Sequence, residues 1–214
     1  MTTKTEHKMY LAGEQERYSI ANFFNQLNEE SNKHSFKVIM SDSNRSVGYD
    51  AMVLVKDKLT GESIKWILLE AKVRSTEFDN WFLELKKLNT LKRERRFKIE
   101  KEYISLPIQI MYINFTPNKT VLWNLSRLEK DNNLGELVRK EMNAVTVQST
   151  TTKTKKQVYL LEEDKGLIFD FKYNAENHIE ELKQEIVIKE KQITGLGNWL
   201  FNKKTNDRIK EYKK

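Results

Sequence analysis

VGYDAMVLVKDKLTGESIKWILLEAKV, residues 47–73, holds two aliphatic runs, Val47–Val55 and Ile64–Val73, with the turn material Asp57–Gly61 between them. β-Branched and aliphatic runs bounded by Asp, Thr and Gly read as strands, so the spacing predicts an antiparallel hairpin turning near Leu59 and Thr60. Each run carries an acid, Asp50 in the first and Glu70 in the second, and Lys72 follows Glu70 by two residues. A charge inside a buried strand is costly unless it is paired or binds a metal. Side chains alternate along a strand, so Glu70 shares a face with Leu68 and Lys72, and Asp50 with Met52 and Leu54. In hairpin register the two carboxylates and the lysine fall on one patch.

Upstream, Ile20, Phe23, Phe24 and Leu27 recur at helical spacing, which predicts a helix over Glu14–Asn28. Glu16 precedes Ile20 by four residues and Phe23 by seven, which puts a carboxylate on the buried face. Ser35–Met40 reads as another strand. Downstream, a charged helix is predicted from Asp79 to about Lys101, striped by Trp81, Phe82, Leu85, Leu88 and Leu91. The chain's two prolines, Pro107 and Pro117, bracket a strand at Ile108–Phe115, and Thr120–Leu125 is its expected partner. This α-β-β-β-α-β order, with a helix crossing between strands, predicts a mixed α/β sheet flanked by helices. Farther on we expect a short helical piece from Asn133 to about Met142 and a connector, Ser149–Lys156. A hairpin of Gln157–Glu162 with Gly166–Lys172, a helix over Ala175–Ile193 and a basic tail then complete the chain. Residues 1–214 read as a single domain with its core at about 14–125, an elaboration at 126–202 and the tail at 203–214.

Gly48-Tyr49-Asp50, separated by nineteen intervening residues from Glu70-Ala71-Lys72 and preceded by a helix carrying Glu16, resembles the PD-(D/E)xK nuclease superfamily. The resemblance covers about residues 14–125 and implies a restriction-endonuclease-like mixed β-sheet core. It further implies a DNA nuclease in which Asp50 and Glu70 hold Mg²⁺, or Mn²⁺ in its place, with the backbone carbonyl of Ala71. Lys72 would orient or deprotonate the attacking water, Glu16 would complete the site, and by analogy with many endonucleases the chain would form a homodimer. Tyr49 stands at the family's nominal proline, and the following helix lacks the Gln-x-x-x-Tyr of the RecB-like branch. The chemistry suits these roles, because carboxylates are Mg²⁺ ligands and a partly buried lysine can be tuned toward neutrality. Glu-x-Lys occurs six times in the chain, but only the copy at Glu70 ends an apolar strand after a second strand-borne acid. Asp170-Phe171-Lys172 also ends an apolar run but lacks the flanking helices.

Charge points to the same partner. The 38 Lys and Arg outnumber 31 Asp and Glu, for a net charge of +7. Between Glu84 and Glu102, eight basic residues face four acids, and between Lys203 and Lys214 six face two. The rest of the chain is close to neutral. Such localisation is the footprint expected on a phosphate backbone, with Lys86, Lys87, Arg93, Arg95 and Arg96 as candidate DNA contacts. With no cysteine, disulfide frameworks, thiolate metal sites and cysteine nucleophiles are excluded. His7, His34 and His178 have no ligand spacing, and no Gly-rich phosphate loop occurs. No uncharged apolar stretch is nearly long enough to cross a bilayer, and the polar start is unlike a secretory signal. The expectation is therefore a cytoplasmic protein with no membrane partner. Two alternative readings are a non-catalytic nucleic-acid-binding protein and an interaction module built on the late helix and Trp199-Leu200-Phe201.

Overall fold

The computed structural model describes residues 4–41, 48–74, 76, 80–102, 104–143 and 153–171. Its elements run α1 (Lys4–Glu30), β1 (His34–Met40), β2 (Ala51–Asp57), β3 (Ser63–Val73), β4 (Trp81–Glu84) and α2 (Leu85–Glu100). They continue with β5 (Ile108–Phe115), β6 (Thr120–Asn124), α3 (Leu125–Lys130), β7 (Glu136–Asn143), β8 (Lys153–Leu161) and β9 (Leu167–Phe169). Six strands form one sheet in the order β1-β2-β3-β5-β6-β9, and β4-β8-β7 form a second. β3 and β5 are parallel, while the other pairs are antiparallel. The chain is mixed α/β, with helices packed on the larger sheet.

Parallel neighbours cannot be joined by a tight turn, so the chain leaves β3, runs through β4 and α2, and returns as β5. This crossover makes β3 an interior strand, and its segment Ile67–Ala71 is fully buried. On one side, Phe23 of α1 meets Phe115 and Phe169 edge-on, with ring centroids 5.9 and 5.0 Å away. On the other, Leu88 and Leu91 of α2 join Leu68, Ile110, Tyr112 and Trp123 in one apolar cluster. The Trp123 indole N–H donates to the Glu162 carbonyl at 2.9 Å, so its polar edge is satisfied within the core.

Four expectations are corrected. Trp81–Glu84 is strand rather than the first turn of the long helix, because Trp81 and Leu83 alternate inward and pair with Leu161 and Tyr159 of β8. The segment expected as a short helical piece up to Met142 is β7, whose weakly apolar sequence takes its register from β8. β8 begins at Lys153, inside the expected connector. It does not form a hairpin with Gly166–Lys172, because β9 pairs with β6 in the larger sheet; the late hairpin is β7–β8. The predicted helix Ala175–Ile193, the tail, Trp199-Leu200-Phe201 and Lys172 lie outside the described residues. Among the described residues no helix is long and apolar enough to cross a membrane.

Candidate functional site

The β2–β3 turn sets the register on which the site depends. Asp57 Oδ1 accepts from the backbone N–H of Leu59 at 2.8 Å and of Thr60 at 2.9 Å, bonds that hold its carboxyl below the ordinary aspartate range. Gly61 closes the turn at φ +73°, a backbone region that side chains disfavour. The ladder that follows opposes Ala51 to Leu69. A one-residue slip would turn Glu70 to the other face of the sheet.

Asp50 stands one residue before β2 rather than within it, yet it is tied to β3 twice. Its N–H donates to the Leu69 carbonyl at 2.9 Å, and its Oδ2 accepts from the Ala71 N–H at 2.7 Å. The approach depends on Gly48, where an added Cβ would lie 2.2 Å from Thr90 Cγ2 and 3.0 Å from Glu94 Cγ on α2. Thr90 is short and cannot swing clear, so Gly48→Ala is expected to lower stability by about 1–3 kcal/mol in urea unfolding. Unchanged stability would show that the segment relaxes without cost.

Glu70 is only 2% exposed. Lys72 Nζ lies 3.2 Å from its Oε1, and Lys87 Nζ of α2 lies 2.6 Å from its Oε2. The second ion pair lacks the alignment of a hydrogen bond, which leaves Oε2 buried without one. Burial outweighs the attraction of Lys72 and Lys87, and with the nearby Asp50 carboxylate it pushes the Glu70 carboxyl up to about 7.

Lys72 also donates to Glu16 Oε1 at 3.1 Å. Burial disfavours its charge, but Glu70, Glu16 and Asp50 together overcome this and raise its pKa above the ordinary lysine value. That direction is opposite to the tuning toward neutrality expected from the sequence. In this arrangement Lys72 is an ammonium donor, not a base. Glu16 is half-buried, and burial raises its carboxyl more than Lys72 lowers it.

The structure thus brings Asp50, Glu70, Lys72 and Glu16 together. It separates the residues expected on the basic helix. Lys87 belongs to the acid–lysine cluster, and Arg95 turns toward Ser126 Oγ at 3.3 Å. Lys86, Arg93 and Arg96 are exposed. Two further basic residues of the helix are engaged, Lys92 with Glu129 and Lys98 with Glu102.

Four contributors escaped the sequence reading, Tyr112, Asn114, Arg74 and Lys156. Parallel register sets Tyr112 beside Glu70 and Asn114 beside Lys72. The Tyr112 hydroxyl donates to the Phe82 carbonyl at 3.1 Å, and Arg74 Nε donates to Asn114 Oδ1 at 3.2 Å. Lys156 of β8 pairs with Glu84 at 2.8 Å. Alternation alone marks Tyr112 and Asn114 as sharing a face, but their place beside Glu70 depends on the crossover. Glu70, Lys72, Arg74, Lys87, Tyr112 and Lys156 open onto a cleft of about 520 Å³.

The donor types suit a hard cation. Among the described residues no group of three or more carboxylates or imidazoles could hold a metal ion together. Mg²⁺ commonly needs only one or two carboxylates, completing its shell with waters and phosphate oxygens. Asp50, Glu70 and the Ala71 carbonyl meet that requirement, with the Lys87 ammonium, 2.6 Å from Glu70 Oε2, standing where a cation would have to enter. No protein-family model, curated protein or solved structure matches this chain.

Proposed function

We propose that this protein is a Mg²⁺-dependent deoxyribonuclease on a restriction-endonuclease-like core. One observation carries the reading: a carboxylate buried in the middle of an interior strand, Glu70, beside Asp50 and Lys72, at the floor of an open cleft. Such a placement costs stability and serves packing poorly, which is the pattern of a functional site.

Asp50, Glu70 and the Ala71 carbonyl are the residues that would hold the metal. When bound, the ion supplies neutralisation of the phosphate charge and acidifies a coordinated water. The chain's own groups do the rest. The Ala71 N–H fixes the rotamer of Asp50, and Glu16 holds Lys72 Nζ together with Glu70. Lys72, kept as an ammonium, donates a hydrogen bond to the attacking water or to a phosphate oxygen and does not take the proton. Hydrolysis then adds water across one P–O bond.

A second reading, a nucleic-acid-binding protein whose acid–lysine cluster is structural, is favoured by the ammonium groups already facing both Glu70 oxygens. Incubation of supercoiled plasmid, linear duplex and branched DNA with Mg²⁺ or Mn²⁺ separates the two. Cutting that EDTA abolishes supports the nuclease; binding without cutting of any of the three hands the site to the second reading.

A further inference from the structure

A second, larger cleft of about 830 Å³ is lined by Lys86, Asn89, Thr90 and Arg93 of α2 on one wall and by Thr154, Lys155, Lys156 and Gln157 of β8 on the other. Glu84 and Lys156 line both this cleft and the one over Glu70, and they are joined by their 2.8 Å ion pair. The two clefts are therefore neighbouring parts of one groove. Four cations, Lys86, Arg93, Lys155 and Lys156, face a single acid, Glu84, in the larger part.

The cations come from elements with no sequence relation. Lys86 and Arg93 lie seven residues apart on one face of α2, while Lys155 and Lys156 belong to a strand in the smaller sheet. What joins them is the pairing of β4 with β8, which opposes Glu84 to Val158 immediately before α2 begins. Lys86, Arg93 and Lys155 are exposed, although no packing demand requires like charges to face each other across a cleft. Repulsion between them is relieved by a polyanion.

We infer that this groove is a binding track for a single nucleic-acid strand, which it leads to Glu70 and Lys72. The inference rests on the nuclease reading for its end point, not for the track itself. Cations on both walls can meet one phosphodiester chain from two sides. The cleft volume is that of a ligand pocket, suited to a few nucleotides of one strand. Half-buried Phe82 also lines the cleft over Glu70, and Lys140 Nζ of β7, 3.6 Å from its ring centroid, covers one face of the ring and adds a further cation. A positively charged groove that tracks the backbone is part of the usual means of holding single strands without sequence preference.

The test is fluorescence anisotropy of a labelled single-stranded oligonucleotide in EDTA, where cutting cannot interfere, across a salt series. The native chain is compared with a triple variant, Lys86→Gln, Arg93→Gln and Lys155→Gln. The variant is expected to bind at least about tenfold more weakly and to lose about 2 from the slope of log K against log salt, roughly 0.7 per lost phosphate contact. Unlabelled duplex of the same sequence should compete poorly. Native affinity and slope in the variant, or duplex competing as well as single strand, would overturn the track. If strand binding falls as expected but the native chain cuts nothing with Mg²⁺, the track stands and the nuclease reading fails. If plasmid is cut while the variant binds as the native chain does, the reverse holds.

Discussion

Asp50→Asn is expected to lower the rate of Mg²⁺-dependent DNA cleavage by about 10²–10³-fold, the scale on which a group aimed at developing charge contributes. Asparagine is the informative replacement. Its side-chain carbonyl can still accept from the Ala71 N–H, a bond of 2.7 Å in the native chain, so the link between β2 and β3 survives while the charge is lost. Asp50→Ala would also leave that N–H without its partner, and part of its effect would be structural. Lys72→Met should cost a comparable factor in rate, since the Lys72 ammonium is the group that lies 3.1 Å from Glu16 and 3.2 Å from Glu70. Both variants should bind DNA in EDTA as the native chain does, because the exposed cations are untouched. Cleavage by Asp50→Asn at the native rate would remove Asp50 from the site and with it the nuclease reading.

The metal-free protein should lose stability as pH rises from about 4.5 to about 7, and Glu70 is the cause. Its carboxyl is raised from 4.5 to about 7 in the folded state, so in that window the folded chain binds more protons than the unfolded one and stability falls with pH. The contribution is present below 4.5 and lost by about 7, and it amounts to about 3 kcal/mol at 1.36 kcal/mol per pKa unit. Other groups titrate in the same range, so the quantity to measure is the difference between native and Glu70→Gln stabilities in urea at a series of pH values. That difference should change by about 3 kcal/mol across the window; a flat difference would show that Lys72 and Lys87 keep Glu70 ionised throughout. Metal binding requires the ionised carboxylate. Stabilisation by Mg²⁺ is therefore expected to grow as pH passes 7. Lys87 lowers the Glu70 pKa, so Lys87→Met should move the midpoint of that growth to higher pH. An unmoved midpoint would mean that the Lys87 ammonium is not what faces Glu70 in solution.

Much of the architecture around the site was legible because it depends on short-range pattern. The β2–β3 hairpin follows from two aliphatic runs around Asp57–Gly61, and its register places Asp50 beside Glu70. The buried stripe of α1, Ile20, Phe23 and Phe24, was readable from helical spacing, and with it the position of Glu16. The basic helix was less legible. A run of Lys and Arg shows where charge is concentrated, but not that Lys87 points at Glu70, that Arg95 meets Ser126, or that Lys92 and Lys98 are consumed in ion pairs.

The smaller sheet was missed altogether as a unit. Trp81–Glu84 is four residues long, too short for a period of two to be told from the start of a helical stripe. β7 is mostly exposed and so shows little alternation of any kind. Both are strands because β8 lies between them and supplies hydrogen bonds to each, a long-range choice no local window contains.

The sequence by itself therefore determined the β2–β3 hairpin and the placing of Asp50, Glu70 and Lys72 on it, since alternation and turn chemistry act between residues close along the chain. The tertiary structure alone decided which cations serve the cluster, which pair off elsewhere, and which face one another across the groove from α2 and β8. Those outcomes depend on how separate elements meet, from Lys87 of α2 against Glu70 of β3 to Lys156 of β8 against Glu84, 72 residues away. Only the folded chain sets such distances.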